Sequence, residues 1–245
     1  MGFEKIAKYY SLLFDEETRL KYEGNFLIDI IKSLPFQPQV LDLACGTGVH
    51  SRFLGRLGTK IVGVDLSPTM LEIAKDKTSS ENVKYLVADI LNLPLINQWD
   101  LILCVGNTLC LLIGEEKVKK LFLSLYELVK PEGLFLIQIV NYENPENQNV
   151  STKVVKKEKL GFKTTITKTL VPDKDLVYLS IAYFVENAKT LESMSESNFL
   201  KKWSIEDITR LSKDVGFKIK AVYGDYQKNP FEKEKSKDLI ILLQK

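Results

Sequence analysis

The run Val40-Leu-Asp-Leu-Ala-Cys-Gly-Thr-Gly48, followed by Ile61-Val-Gly-Val-Asp-Leu-Ser67, constrains the fold more than any other stretch of this chain. Val40 to Leu43 has the apolar character of a parallel strand buried on both faces. Gly46 and Gly48 allow a tight turn in which the backbone can approach a ligand where side chains would collide. Asp65 lies 17 residues beyond Gly48, the interval needed to run one helix back and return along a second strand. The order is strand, glycine turn, helix, strand and acidic strand end, which leaves a carboxylate beside the ribose hydroxyls of a bound nucleoside.

The chemistry of the loop separates the possible nucleosides. Gly46-x-Gly48-x-x-Ser51 lacks the third glycine of a dinucleotide fingerprint, and Asp42 sets a negative charge where a pyrophosphate would suffer from it. A phosphate favours a bare helix N-terminus, whereas a ligand carrying a sulfonium and an ammonium suits an acidic loop. S-adenosylmethionine meets that description better than a nicotinamide cofactor, and a dehydrogenase is disfavoured.

Asp42-Leu-Ala-Cys-Gly-Thr-Gly48 and Gly63-Val-Asp-Leu-Ser67 resemble the first two motifs of class I S-adenosylmethionine-dependent methyltransferases. The resemblance continues through Ser67-Pro-Thr-Met-Leu71, Ala88-Asp89-Ile90, Trp99-Asp-Leu-Ile-Leu103 and Lys130-Pro-Glu-Gly-Leu-Phe135, and covers residues 38–142. Gly106-Asn107-Thr-Leu109 and Asn141-Tyr142 look like the glycine N-methyltransferase group and related small-molecule enzymes. The resemblance implies a Rossmann-like α/β fold. Its seven-stranded, mostly parallel sheet would carry helices on both faces, an N-terminal helical lid and a small antiparallel β flap inserted after the fifth strand. The division it implies is one domain over 1–245, with a lid at 1–34, a cofactor core at 38–142, a flap at 151–190 and a closing segment at 200–245.

By that resemblance the cofactor, S-adenosylmethionine, would be held by Tyr10, Arg19, Asp42, Ala44, Gly46, Gly48, Asp65, Leu66, Met70, Asp89, Ile90 and Val105. Asp65 would take the ribose hydroxyls, Met70 an adenine face, Asp89 with the Ile90 backbone the amino edge, and Arg19 the carboxylate, with Tyr9 and Tyr10 in the lid. A small-molecule acceptor would meet the methyl group at Asn107, Tyr142 and Tyr226, flanked by Asn141 and Tyr223. Amides and phenols suit an amine, because they hold a neutral nitrogen by its hydrogens and direct its lone pair. Methylation at nitrogen is therefore expected over oxygen. His50, the only histidine, follows the glycine turn in the first turn of a helix, where the dipole disfavours an imidazolium; a solvent-facing position is expected and no catalytic role is assigned.

Other functions fit less well. A formal charge of +2 gives no broad basic field, and the lysines from Lys153 to Lys168 read as a solvated face of the flap rather than an RNA track. Val105-Gly-Asn-Thr108 lacks the Pro-Pro-aromatic run that amino-group DNA methyltransferases use, and Cys104 and Cys110 lack the Pro-Cys context of cytosine C5 enzymes. RNA or protein methylation, and a binding module without turnover, remain alternatives. No metal set is visible with one histidine and three scattered cysteines, and the flap contains no arginine between 151 and 190 to grip a free carboxylate, only lysines as point charges. The odd cysteine number, Cys45, Cys104 and Cys110, indicates reduced thiols; with no long apolar run at the N-terminus, a cytoplasmic protein is expected.

Apolar spacing predicts two helices over 3–33, then strand 40–43, helix 48–57, strand 60–65, helix 68–77 and strand 83–87. Strands at 100–105 and 133–140 follow, with a helix over 115–130 between them. Strands are expected at 162–168 and 176–184, a helix opened by the capping box Ser204-Ile-Glu-Asp207, and final strands at 217–223 and 238–243.

Overall fold

The computed structural model describes residues 3–13, 15–96, 98–159 and 162–245. Its central sheet is built from β1 (Gln39–Leu43), β2 (Lys60–Asp65), β3 (Val83–Val87), β4 (Trp99–Cys104), β5 (Val129–Val140), β10 (Lys218–Tyr223) and β11 (Asp238–Gln244). The strands run in the order β10-β11-β5-β4-β1-β2-β3. The pairs from β5 through β3 are parallel, while β11 is antiparallel to both β5 and β10. β1 has β2 on one side and β4 on the other, so the strand order reverses there and opens a crevice beyond the carboxyl ends of the strands. The mostly parallel seven-stranded α/β architecture is the one the motifs imply.

The helices alternate with these strands because their apolar faces need the sheet. α3 (Val49–Gly55), α4 (Pro68–Asp76) and α5 (Glu115–Leu128) cross between parallel strands, and α5 buries Val118, Leu121, Phe122, Leu125 and Leu128 at helical spacing. α6 (Ile205–Val215) opens on a capping box: the Ser204 hydroxyl accepts from the Asp207 amide at 3.1 Å, and the Asp207 carboxylate accepts from the Ser204 amide at 3.2 Å. Gly216 closes it at φ 112°, a left-handed position that favours glycine. No helix of the described residues is long and apolar enough to cross a membrane.

The flap is a four-stranded antiparallel sheet in the order β6 (Ser151–Lys159), β7 (Phe162–Asp173), β8 (Leu176–Glu186), β9 (Leu191–Lys201). It is larger than the expected 151–190, since β9 carries it to Lys201. Alternate residues of β8, Val177, Leu179, Ile181, Tyr183 and Val185, turn inward and are buried. Of the N-terminal helices, α1 (Ala7–Leu13) packs between flap and core, against β6 and β7 on one side and α4 on the other, while α2 (Glu16–Lys32) packs on α3. Tyr9 of α1 lies 4.3 Å, ring to ring, from Tyr183 of β8, and the Lys153 ammonium of β6 donates to the Leu13 carbonyl at 2.9 Å.

Candidate active site

The glycine turn shapes the first part of the site. Gly46 has φ 56°, and a side chain added there would meet no atom within 4 Å, so that face of the turn is open to the crevice. Gly48 has φ 75° for the opposite reason: a Cβ there would strike the Tyr85 hydroxyl and Ala74, so α3 packs against its neighbours without room for a side chain. Gly48 therefore shapes the turn without lining the cavity, and the other expected cofactor residues do line it.

That cavity, about 410 Å³, is bordered by Tyr10, Arg19, Asp42, Ala44, Gly46, Asp65, Leu66, Met70, Asp89, Ile90 and Val105. Its volume falls in the range of roughly 300–1,000 Å³ typical of small-molecule sites. Asp65 is held by the Gly46 amide at 2.8 Å and the Ser67 amide at 2.9 Å, which fix the carboxylate at the end of β2. Burial raises its pKa, against the lowering effect of the Ser67, Gly46 and Leu66 amides. Burial also raises the pKa of Asp42, opposed by His50, the Ser51 hydroxyl and Arg19; Ser51 donates to it at 2.6 Å.

His50 is not on a solvated surface. It is only 5% exposed, and its Nε2 lies 2.5 Å from the Glu23 carboxylate, which also accepts from Arg19 at 2.9 Å. Arg19, a wall of the cavity, is thus fixed by a carboxylate that is itself fixed by the histidine. Glu23 was not visible as a site residue, yet it is a carboxylate at helical spacing from Leu27 and Ile30 on the buried face of α2.

A second cavity, about 590 Å³, lies between core and flap. Phe3, Tyr10, Arg19, Gly106 and Leu111 border both cavities. Asn107 and Tyr142 line the inner one, as do Gln138, Glu23, Lys153 and Lys168, which sequence reasoning did not assign to a site. Asn107 is locked from two sides. The Val140 amide donates to its Oδ1 at 2.9 Å, which leaves its Nδ2 to donate to the Tyr142 hydroxyl at 3.0 Å. Gln138 interrupts the apolar run of β5; it accepts from the Gly106 amide and donates to Asp238, each at 2.7 Å. Lys153 and Lys168 border this cavity, while Lys153, Lys156, Lys157 and Lys163 are also exposed, as expected of a solvated face.

Three expected acceptor residues lie elsewhere. Asn141 is 2% exposed and its amide donates at 2.8 Å to the carbonyls of both Lys233 and Ser236, so it anchors the loop before β11. Tyr223 and Tyr226 meet Phe26 edge to face at 5.7 and 5.4 Å, which makes them packing residues behind α2. Neither borders either cavity. Cys45, Cys104 and Cys110 are free thiols, and burial pushes Cys104 up to about 12.

A model of the methyltransferase domain matches residues 40–133. The chain is 28% identical over 198 residues to YqeM of Bacillus subtilis (strain 168), which carries a provisional methyltransferase name; the match covers 79% of each chain. It is 29% identical over 229 residues to the glycine/sarcosine/dimethylglycine N-methyltransferase of Actinopolyspora halophila, covering 91% of this chain but 38% of that longer protein. The fold is shared with an S-adenosylmethionine-dependent methyltransferase from Clostridium acetobutylicum ATCC 824, at TM-score 0.81 and 24% identity over 99% of this chain and 98% of that one. Residues 40–133 are a methyltransferase domain, and the fold around them is that of the class I S-adenosylmethionine-dependent methyltransferases.

Proposed function

We propose that this enzyme transfers the methyl group of S-adenosylmethionine to a small-molecule acceptor in the inner cavity, at nitrogen in preference to oxygen. The observation that carries the reading is the wall shared by the two cavities at Phe3, Tyr10, Arg19, Gly106 and Leu111, across which donor and acceptor can meet. The donor supplies an electrophilic methyl: the acceptor lone pair forms the C–N bond as the C–S pair returns to sulfur, and the ammonium product releases its proton to solvent.

The chain's own residues position and exclude water. Asp65, with two lone pairs on the Gly46 and Ser67 amides, has the others for ribose hydroxyls. Asp89 and the Ile90 amide take the adenine edge, Met70 its face, and Arg19, held by Glu23, the carboxylate. Residues 1–34 act as the lid, 38–142 as the cofactor core, and the sheet from 151 as the flap that closes the acceptor side. Well-oriented reactants recover about 7–11 kcal/mol of a barrier, which suffices without a covalent nucleophile. Nitrogen is supported by Tyr142: burial raises its pKa, so it stays a neutral phenol, and its oxygen keeps a lone pair for an amine N–H. The N-methyltransferase relative supports the same choice.

A thermal-shift titration with S-adenosylhomocysteine on wild type and Asp65→Ala tests the reading. Ligand at 100 times its dissociation constant adds about 2.7 kcal/mol, or roughly 5–10 °C for a domain of this size. A shift lost in the variant is expected; the same shift in both, or none in wild type, overturns the assignment.

A further inference from the structure

β5 is apolar at every position from Leu134 to Val140 except one. Gln138 interrupts that run and is only 7% exposed, where an amide gives the core no packing that an aliphatic side chain would not. Its two hydrogen bonds fix which way the amide points. The Gly106 amide donates to Oε1, and Nε2 donates to the Asp238 carboxylate of β11, each at 2.7 Å. A backbone amide only donates and a carboxylate only accepts, so the two ends of the side chain cannot exchange places. With these bonds made, Oε1 has a second lone pair to offer.

That oxygen sits at the junction of the two cavities. Gly106 belongs to the wall they share, and Gln138 borders the inner cavity. Gly106 has φ 74°, and a Cβ there would come within 3.2 Å of the Arg19 guanidinium, so the shared wall adjoins the residue that takes the donor's carboxylate. The methionine end of the donor, and with it the methyl group, therefore meets the wall beside Oε1. Asp238 is held in this arrangement at a cost to the fold. Burial is the main cause that lifts its pKa to about 6; Glu23 of α2 and Asp225 of the loop after β10 add to it, and Lys237 opposes it. A buried carboxylate that works against stability is characteristic of a group retained for what it holds in place.

We propose that Gln138 Oε1 accepts an N–H of the methyl acceptor at the shared wall and so aims the nitrogen lone pair at the donor methyl, with Asp238 as the positioning residue that holds the amide. The proposal rests on the inner cavity receiving an amine. It selects a neutral primary or secondary amine, because a tertiary amine has no hydrogen to give. No bond to Gln138 forms or breaks during transfer. As the nitrogen gains positive charge its N–H bond to Oε1 becomes charge-assisted, so the contact is stronger in the transition state than in the bound amine.

Aniline, N,N-dimethylaniline and toluene share a ring and differ in what they offer Gln138. Each is titrated into the S-adenosylhomocysteine complex and followed by the side-chain amide resonances, that of Gln138 being identified by its loss in Gln138→Met. Aniline should bind about two- to tenfold more tightly than the other two, the worth of one neutral hydrogen bond, and it alone should shift the Gln138 resonance. Gln138→Met should abolish the preference with S-adenosylhomocysteine affinity unchanged. Asp238→Leu should weaken it, and Asp238→Asn, which keeps an oxygen for Nε2, should restore it. A preference that survives in Gln138→Met, equal binding of aniline and toluene, or a Gln138 resonance that does not respond to aniline overturns the proposal; the last two are read on the wild type and require no variant to fold. If none of the three probes binds at millimolar concentration, the inner cavity is not an amine site, and the reading beneath the proposal falls with it.

Discussion

Glu23 stays ionised on the buried face of α2 because the Arg19 guanidinium and the His50 ring both reach it. Burial alone would raise its pKa, but the His50 hydrogen bond and charge and the Arg19 guanidinium outweigh that and hold the carboxyl below its ordinary value. With a depressed folded pKa, its contribution to stability is present above the unfolded carboxylate value and is lost as pH falls through the folded one. His50→Ala leaves that carboxylate short of a partner, so urea unfolding at pH 7 should show a loss of about 1–3 kcal/mol. S-adenosylhomocysteine affinity should weaken as Arg19 loosens, while turnover at saturating substrates changes little; a collapse of turnover with affinity intact would make His50 a base instead. At Tyr142 the expectation is the reverse. Tyr142→Phe removes one hydrogen-bonding group, worth about 0.5–1.5 kcal/mol, so kcat/KM should fall about two- to tenfold with cofactor affinity unchanged. The cofactor side was legible in the sequence because glycines and acids at strand ends have few other reasons to recur at that spacing. The acceptor side was not: tyrosines and asparagines serve packing and loop anchoring equally well, as Tyr223, Tyr226 and Asn141 do. Lys168 did carry a signal in its alternation with Ile166 and Leu170, which places it on the inward face of its strand.

The elements of the core follow from local chemistry that the sequence displays openly. α6 illustrates it: Ser204→Ala should cost about 1 kcal/mol, a fall in Tm of about 2–4 °C by calorimetry, because the hydroxyl accepts from the Asp207 amide and donates to the Asp207 carboxylate. β9 was hidden for an equally local reason. It is an edge strand whose residues are mostly exposed, and Glu192, Ser193, Ser195 and Ser197 give it no apolar alternation. β11 begins with a residue that works against its own element. Burial raises the Asp238 carboxyl from 3.8 to about 6, more than the Gln138 hydrogen bond lowers it. A raised acid pKa means that the folded state binds the extra proton, so stability declines as pH rises from about 4 to about 6. Asp238→Asn keeps an oxygen for Gln138 and removes the charge. Its urea midpoint at pH 7 should exceed that of wild type, and the decline between those pH values should flatten; an unchanged pH profile would show that Asp238 is not the group responsible.

In the whole molecule, α1 is the strut that makes core and flap one site. Its N-terminal approach is latched by Glu4, whose carboxylate accepts from the Ser67 and Thr69 hydroxyls at the start of α4; those bonds hold its pKa low. Its other end is tied to the flap through Tyr9 on Tyr183 and through Lys153 on the Leu13 carbonyl. Between these attachments, Tyr10 borders both cavities. A ligand in the outer cavity would therefore touch the strut directly, while the parallel sheet beneath is already buried and has little left to gain. Addition of S-adenosylhomocysteine should slow amide hydrogen exchange over residues 7–13 and along β8, with little change in β1 and β4. Tyr9→Ala should leave the slowing in α1 but abolish it in β8, since the ring pair is the contact that carries it across. If β8 still responds in that variant, flap and core are coupled through the shared cavity wall at Gly106 and Leu111 rather than through α1; if α1 itself does not respond, it is a fixed part of the scaffold and not a lid.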